Sequence, residues 1–86
     1  MDVTIHYFAW LRERTGINSE QVSLPSDVKT INDLFKWLGE RGEEFSPITE
    51  HAEIIQVAIN QQHQQDKDAL IEDAKEIALF PPMTGG

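Results

Sequence analysis

The sequence contains no cysteine, and this absence removes several kinds of chemistry at once. A chain of 86 residues without cysteine has no disulfide bond, no thiolate nucleophile and no cysteine-based metal site. This composition suits a reducing compartment, so we expect a cytoplasmic protein. The chain also lacks an apolar run long enough to span a membrane, and its first residues read as a strand, so neither a membrane span nor a signal peptide is predicted.

Basic residues are scarce. Seven Lys and Arg stand against fifteen Asp and Glu, which gives a formal net charge of -8 and an isoelectric point near 4.6. Binding to nucleic acid needs clustered positive charge to neutralise phosphates, so this class of partner is excluded. An acidic surface suits a basic protein partner, but acidity also keeps a small protein soluble, and both explanations stay open.

Motifs for autonomous catalysis are missing as well. His6, His51 and His63 lack the spacing of a helical metal-binding pair, and they are too scattered to argue for a serine-based triad. The sequence has no phosphate-binding loop and no dinucleotide fingerprint. We therefore expect no bound cofactor, no metal site and no active site of its own, which leaves the end of the chain as the reactive group.

The N-terminal quarter predicts a β-hairpin. Apolar and polar residues alternate from residue 3 onward, as in a strand with one buried face. The predicted inward-facing residues are Val3, Ile5 and Tyr7. The same alternation turns Phe8 outward beside His6. We predict a turn over residues 11–16, because residues 12–16 are polar and end in glycine, and we predict the second strand over residues 21–24.

The clearest helix signal begins at Thr30. Thr30 and Asp33 form a start signal related to the capping box, and apolar residues at 31, 34, 35 and 38 follow the helical repeat. We predict a helix over residues 31–40 that ends near Gly42 and covers one face of the sheet. Residues 43–53 are acidic and predict a loop with room for a short helical turn.

The C-terminal third predicts two more strands. Residues 54–60 and 76–80 alternate, with a brief pairing possible at 63–65, a core contact by Leu70 and a turn at 72–75. In the last strand Ile77 and Leu79 face inward and Phe80 faces outward. The order is β-β-α-β-β, which is an α+β fold with a mixed sheet of four to five strands covered by one main helix.

The chain ends in a tail unlike the body. We divide the sequence into a domain over residues 1–80 and an extended tail over residues 81–86. The two prolines lack an N–H and favour a stiff extended segment, which should project by roughly 20 Å. The final two glycines have no Cβ, so this end can enter a narrow channel. A frayed chain end is the alternative explanation.

Two motifs resemble those of the molybdopterin synthase small subunits, a family of sulfur carriers with the ubiquitin-like β-grasp fold. One is the ending Leu-Phe-Pro-Pro-Met-Thr-Gly-Gly over residues 79–86. The other is the opening Tyr-Phe-Ala at residues 7–9, followed by Arg12, Glu13 and Gly16. The resemblance spans the whole chain. Two departures stand out: Ala74 occupies a turn position where the family usually has glycine, and His63 replaces a commonly apolar interface residue.

The resemblance implies a complete sulfur-transfer scheme. A terminal carboxylate is ionised at neutral pH and is a poor electrophile. In the family, an E1-like enzyme therefore uses ATP to adenylate the terminal glycine, here Gly86, and a sulfurtransferase supplies the sulfur of a thiocarboxylate. The tail, here Pro81, Pro82, Met83, Thr84 and Gly85, inserts into the large catalytic subunit of molybdopterin synthase. There the sulfur passes to a pterin precursor of the molybdenum cofactor, within an expected heterotetramer.

The resemblance also directs attention to the docking surface. Phe8 and Phe80, both predicted to face outward, are our candidates for an apolar partner-binding patch, with His63 as a further member. Three alternatives remain open at this point. The chain could be a sulfur carrier for thiamine or another thiolation pathway, a ubiquitin-like protein modifier, or a plain interaction module.

Overall fold

Residues 1–82 are described by the structure, a computed structural model, and they form a mixed five-stranded sheet with helices packed on one face. Three helices and a single 3₁₀ turn, Glu43–Phe45, accompany the sheet. The elements in chain order are β1 (Asp2–Tyr7), α1 (Trp10–Thr15), β2 (Ser19–Ser23), α2 (Ile31–Gly39), α3 (Ser46–Glu50), β3 (Gln56–Ile59), β4 (Gln62–Gln64) and β5 (Glu76–Phe80). This arrangement is the predicted α+β β-grasp, with five strands.

The strand order β2-β1-β5-β3-β4 places the last strand at the centre of the sheet. β5 runs parallel to β1, with Tyr7 opposite Leu79, and antiparallel to β3, with Val57 opposite Leu79. The parallel pair needs a crossover connection, and the intervening chain with α2 supplies it. The chain therefore leaves the middle of the sheet at Phe80 and continues into the two prolines.

The inward face of the sheet carries the core as predicted. Val3, Ile5 and Tyr7 are each at most 1% exposed, and Ile77 and Leu79 are completely buried. The apolar stripe of α2 packs into the same cluster, with contributions from Ile31, Leu34, Phe35 and Leu38. Burial of these apolar side chains is the main stabilising contribution in a domain of this size.

The start of α2 confirms the capping signal. The hydroxyl of Thr30 accepts a hydrogen bond from the backbone N–H of Asp33 at 3.1 Å, and the carboxylate of Asp33 accepts one from the N–H of Thr30 at 3.1 Å. Bonds from the N–H groups of Lys29 and Thr30 hold the pKa of Asp33 below its ordinary value. The helix ends at Gly39 with Glu40 as its C-cap, two residues before Gly42.

Residues 11–16 are wrongly predicted as a turn, because the structure has α1 there. Leu11 is completely buried, the hydroxyl of Thr15 donates to the carbonyl of Leu11 at 2.9 Å, and Gly16 caps the helix at φ 76°. This helix of six residues has only one fully buried apolar side chain, which is too few to reveal a helical repeat. β1 and β2 pair antiparallel as predicted, but α1 lies between them, so they do not form a tight hairpin.

Two further predictions fail in the connections. Leu70 is 60% exposed and does not enter the core, whereas its neighbour Ile71 is 1% exposed. The N–H of Ile71 donates to the carbonyl of Lys29 at 2.9 Å. This bond holds Ile71, and not Leu70, toward the core. Residues 43–53 are largely helical rather than a loop, since the 3₁₀ turn and α3 bury Phe45 and Ile48.

The β3–β4 hairpin depends on Asn60. β3 is shorter than the predicted span of 54–60, and β4 begins one residue before the predicted 63–65. Asn60 and Gln61 both have positive φ, of 51° and 71°, as a two-residue hairpin turn requires. The side-chain oxygen of Asn60 accepts from the N–H groups of Lys75 and Glu76 at 2.8 and 3.1 Å, which ties the hairpin to the start of β5.

The alanine in the turn before β5 causes no backbone strain. Ala74 is 5% exposed, and its φ is not positive, so this position does not need the freedom of glycine. Its N–H donates to the carbonyl of Ile71 at 2.9 Å. No helix among residues 1–82 is both long enough and apolar enough to cross a membrane.

Candidate functional site

An apolar groove of about 430 Å³ lies where the chain leaves the sheet. It is lined by Phe8, Ala78, Phe80, Pro81 and Pro82, which we call the apolar patch. Phe8 is 46% exposed, one of only a few large apolar side chains in residues 1–82 with this much exposure. A large exposed aromatic side chain in an apolar groove is typical of a surface that binds another protein.

Strand alternation explains why the patch faces outward. Leu79 is buried, so its neighbours Ala78 and Phe80 face the side of the sheet away from the helices. Phe8 continues the ladder, because its N–H donates to the carbonyl of Leu79 at 3.1 Å. Ala9 follows with φ 54° and turns the chain into α1, so β1 stops where Phe8 is exposed.

Small residues separate the aromatic rings. Ala58 on β3 pairs directly with Ala78 on β5. Because the alanine side chains are short, the surface between Phe8 and Phe80 is recessed, and the two aromatic rings protrude from it. Sequence reasoning missed these two alanines as part of the site, although the alternation in each strand assigns them to the outer face.

His63 lies on the other side of Phe80. The two ring centroids are 5.9 Å apart, and Nε2 of His63 is 2.8 Å from Oε1 of Gln56. A second groove, of about 510 Å³, is lined by Gln56, His63, Phe80 and Pro82. The structure therefore brings Phe8, Phe80 and His63, the three predicted partner-binding residues, to one face around the exit of the tail.

A polar rim borders the patch on the β1 side. Nε2 of His6 is 3.8 Å from a carboxylate oxygen of Glu76, and both residues line a third groove of about 300 Å³ that also includes Phe8. An exposed pair of this kind contributes little to stability. The outer face therefore becomes polar on the side of the patch where His6 of β1 meets Glu76 at the start of β5.

Only the first two residues of the predicted tail are described. Pro81 and Pro82 are half-buried and line the grooves beside Phe80. The tail predictions for Met83, Thr84, Gly85 and Gly86 lie outside the described residues. The described part of the tail thus starts on the outer face, in contact with the apolar patch.

The most extensive side-chain network lies on the opposite side of the sheet and is structural. The carboxylate of Glu20 accepts from the hydroxyl of Tyr7 at 2.7 Å and from both terminal nitrogens of Arg41 at 2.7 and 3.0 Å. The guanidinium also stacks on Phe45, 4.5 Å from the ring centroid. These bonds connect β1, β2 and the segment that follows α2.

The pKa values of this network follow from its geometry. Burial alone would raise the pKa of Glu20, but the hydrogen bonds from Arg41 and Tyr7 outweigh it and hold the pKa below its ordinary value. Burial and the bond to Glu20 raise the pKa of Tyr7 far above its ordinary value. Within residues 1–82, no three His, Asp or Glu side chains are grouped to hold a metal ion.

Sequence comparison identifies one family and several relatives. The profile of the ThiS family matches residues 5–86. The molybdopterin synthase sulfur carrier subunit of Haemophilus influenzae is 31% identical over 84 residues, covering 98% of this chain and 99% of that protein. The human protein of the same name is 31% identical over 86 residues, covering 98% of this chain and 93% of that protein.

Solved structures share the fold. A molybdopterin converting factor subunit 1 structure from Pyrococcus furiosus superposes with a TM-score of 0.73 at 24% identity, over 96% of this chain and 99% of that one. A complex of subunits 1 and 2 of molybdopterin-converting factor from Helicobacter pylori contains a chain with a TM-score of 0.65 at 20% identity, with full coverage of both chains.

A third solved structure comes from a different functional class. Small archaeal modifier protein 1 of Haloferax volcanii superposes with a TM-score of 0.64 at 26% identity, covering 95% of this chain and 98% of that one. The same fold is therefore found in proteins named as sulfur carriers and in a protein named as a modifier.

Proposed function

Because this chain belongs to the ThiS family, we propose that it is the sulfur carrier subunit of a molybdopterin synthase and that it delivers sulfur as a thiocarboxylate on Gly86. The observation that carries the proposal is the match to molybdopterin synthase sulfur carrier subunits over 98% of this chain. The family profile extends to residue 86, so the match includes the Gly-Gly ending.

The chemistry of the ending agrees with this role. A carboxylate must lose an oxygen before sulfur can replace it, and adenylation by an ATP-dependent, E1-like enzyme makes AMP the leaving group. A sulfurtransferase then supplies the sulfur. Glycine at the last two positions leaves the reacting carbonyl without neighbouring side chains, so a narrow active site can admit it. The carrier contributes the acyl group, and its partners contribute the catalytic residues.

The position of β5 supports delivery by the tail. β5 lies in the middle of the sheet and holds the start of the tail between β1 and β3. Pro81 and Pro82 restrict the backbone to extended conformations, which lowers the entropy lost when residues 83–86 insert into a partner.

The apolar patch is the surface proposed to dock the large catalytic subunit. Phe8 and Phe80 offer aromatic area beside the tail, so docking at the patch would bring the tail to the partner's active site. The net charge of -8 favours a basic partner surface. We propose a heterotetramer with the large subunit, together with transient complexes with the E1-like enzyme and the sulfurtransferase. The cytoplasm is the proposed compartment.

Association with specific enzymes tests this assignment. Affinity capture of the carrier from its native cells should recover the large synthase subunit. Mixing the loaded carrier with that subunit and a pterin precursor should give molybdopterin. Recovery of a thiazole-forming enzyme, without the large subunit, would instead support the thiamine pathway.

A modifier role is the second candidate, because the chain is 26% identical to small archaeal modifier protein 1 over 95% of its length. Both roles activate the same terminal glycine, and they differ in the nucleophile that accepts it. A modifier would give adducts linked through lysine side chains, which digestion and mass spectrometry of cell extracts detect. If such adducts were found and no synthase activity were detected, the carrier assignment would be wrong and the modifier role would replace it.

A further inference from the structure

His63 lies next to the apolar patch and places a polar ring atom on a surface proposed to become buried. The imidazole of His63 is exposed on β4 next to Phe80, and both side chains line the groove that Pro82 also lines. A polar atom that is buried without a partner costs free energy, so a docking partner must satisfy the ring or avoid it. The question is which hydrogen bond the ring offers.

Neighbouring hydrogen bonds determine the answer. The side-chain nitrogen of Gln56 donates to the carbonyl of Ile54 at 3.2 Å, which fixes the orientation of the amide. Its oxygen therefore faces Nε2 of His63 at 2.8 Å. A hydrogen bond to this oxygen requires a proton on Nε2, so the neutral ring carries no proton on Nδ1. Among residues 1–82, no hydrogen-bond partner approaches Nδ1, and this nitrogen is an available acceptor.

The residues around the ring are neutral. They are Gln56 and Ala58 from β3, Phe80 from β5, and Pro82. Within residues 1–82 no carboxylate lies within 4.0 Å of His63. The nearest ionisable pair on this face is His6 and Glu76, at the β1 side of the sheet.

We propose that His63 is a specificity-determining contact, which accepts a hydrogen bond at Nδ1 from a donor group on the large subunit. This inference rests on the proposed function, since it names that subunit as the occupant of the patch. Pro82 lines the grooves on both sides of Phe80, so a partner that receives the tail also covers His63. The acidic carrier favours a basic partner, and a lysine or arginine side chain is a donor of the required chemistry.

Protonation of His63 would abolish this contact. The imidazolium ring has a proton on both nitrogens and cannot accept, and its charge would repel a cationic donor. We expect the Kd for the large subunit to rise about tenfold between pH 8 and pH 5.5 as this contact is lost. The partner's own titrating groups are removed from the comparison by measuring variants in parallel.

Two substitutions at one position separate the explanations. His63→Gln keeps a neutral acceptor, so it should bind within about threefold of the wild type at pH 8 and lose the part of the pH dependence that His63 causes. His63→Leu removes the acceptor and leaves the partner's donor unpaired, so it should bind about tenfold more weakly at pH 8. His6→Gln is the matched control, and its Kd should change with pH as much as that of the wild type.

The measurement is isothermal titration calorimetry of the full-length carrier with the large subunit at pH 8, 7, 6 and 5.5. Tighter binding by His63→Leu would show that an apolar surface covers this position and would overturn the inference. Equal pH profiles for wild type and His63→Gln would overturn it as well. Absence of wild-type binding at every pH would instead contradict the proposed function, so the two failures are distinguishable.

Discussion

Removal of the Glu20 carboxylate should destabilise the fold by an amount that depends on pH. Glu20 connects β2 to Tyr7 of β1 and to Arg41, which follows α2, through three hydrogen bonds of 2.7 to 3.0 Å. The side chains of Glu20 and Arg41 are only 17% and 29% exposed. Substitution Glu20→Gln preserves the shape of the side chain but removes the charge and one accepting oxygen.

The size of the effect follows from these contacts. Hydrogen bonds between charged groups contribute about 1.5–3 kcal/mol each when they are buried, and solvent screening reduces this value here. The hydroxyl of Tyr7 or one nitrogen of Arg41 would also be left without its acceptor. We expect a loss of roughly 2 kcal/mol, which lowers Tm by roughly 10 °C in a domain of this length.

The pH dependence has a definite sign. The folded-state pKa of Glu20 lies below its ordinary value, so the unfolded chain takes up a proton first as the pH falls. The contribution of the carboxylate is therefore fully present above the ordinary glutamate pKa of about 4.3 and is lost as the pH falls through the folded value. The difference between wild type and Glu20→Gln should be constant from pH 6 to 8 and should shrink in stronger acid.

Urea unfolding followed by circular dichroism measures this difference directly. Glu53→Gln is a matched control, because Glu53 is exposed and forms no ion pair with residues 1–82. The control should change the free energy of unfolding by less than about 0.5 kcal/mol. A Glu20→Gln variant as stable as the control at pH 7 would refute the assignment of the network as a stabilising connection between these elements.

Four other outcomes are expected. Asn60→Ala should be about 1 kcal/mol less stable than Asn60→Gly, because both lose the side-chain bonds but only alanine resists the positive φ; equal stability would contradict the turn geometry. Thr30→Ala should cost about 1 kcal/mol by removing the α2 cap, as thermal unfolding measures. Phe8→Ala should weaken binding of the large subunit by roughly 2 kcal/mol, or about 30-fold, because about half of the side chain is exposed and would be buried on docking. If the affinity were unchanged and the circular dichroism spectrum intact, Phe8 would not belong to the interface. One residue added after Gly86 should abolish sulfur transfer without changing Tm.

The parts of the fold that the sequence predicts are those with a repeated pattern. β1 and β5 alternate over five or six residues, and α2 combines a capping box with an apolar stripe, so each was identifiable from neighbouring residues alone. α1 has only six residues and one fully buried leucine, Leu11, and its helical state depends on packing against the rest of the core. The orientation of Leu70 could not be predicted for a similar reason. It depends on the hydrogen bond between Ile71 and Lys29, which are far apart in the sequence.

The candidate site divides in a similar way. Alternation alone turns Phe8 and Phe80 outward, and the structure confirms this orientation. Their meeting on one groove depends on β5 lying between β1 and β3, which is a long-range pairing that no local pattern reveals. The bond between Gln56 and His63 is likewise a consequence of the β3–β4 register. The sequence therefore predicted the two aromatic members of the patch and the neighbouring His63, but neither Ala78 nor the hydrogen bond made by His63.

The central claim is that Gly86 carries sulfur, and intact-mass spectrometry tests it most directly. The purified carrier, with its C-terminal peptide sequenced to establish that Gly86 is the last residue, is incubated with the E1-like enzyme, ATP and a sulfur source. We predict a mass change equal to the replacement of one oxygen by sulfur, located by fragmentation at Gly86. An unchanged mass under conditions that load a known carrier would contradict the account.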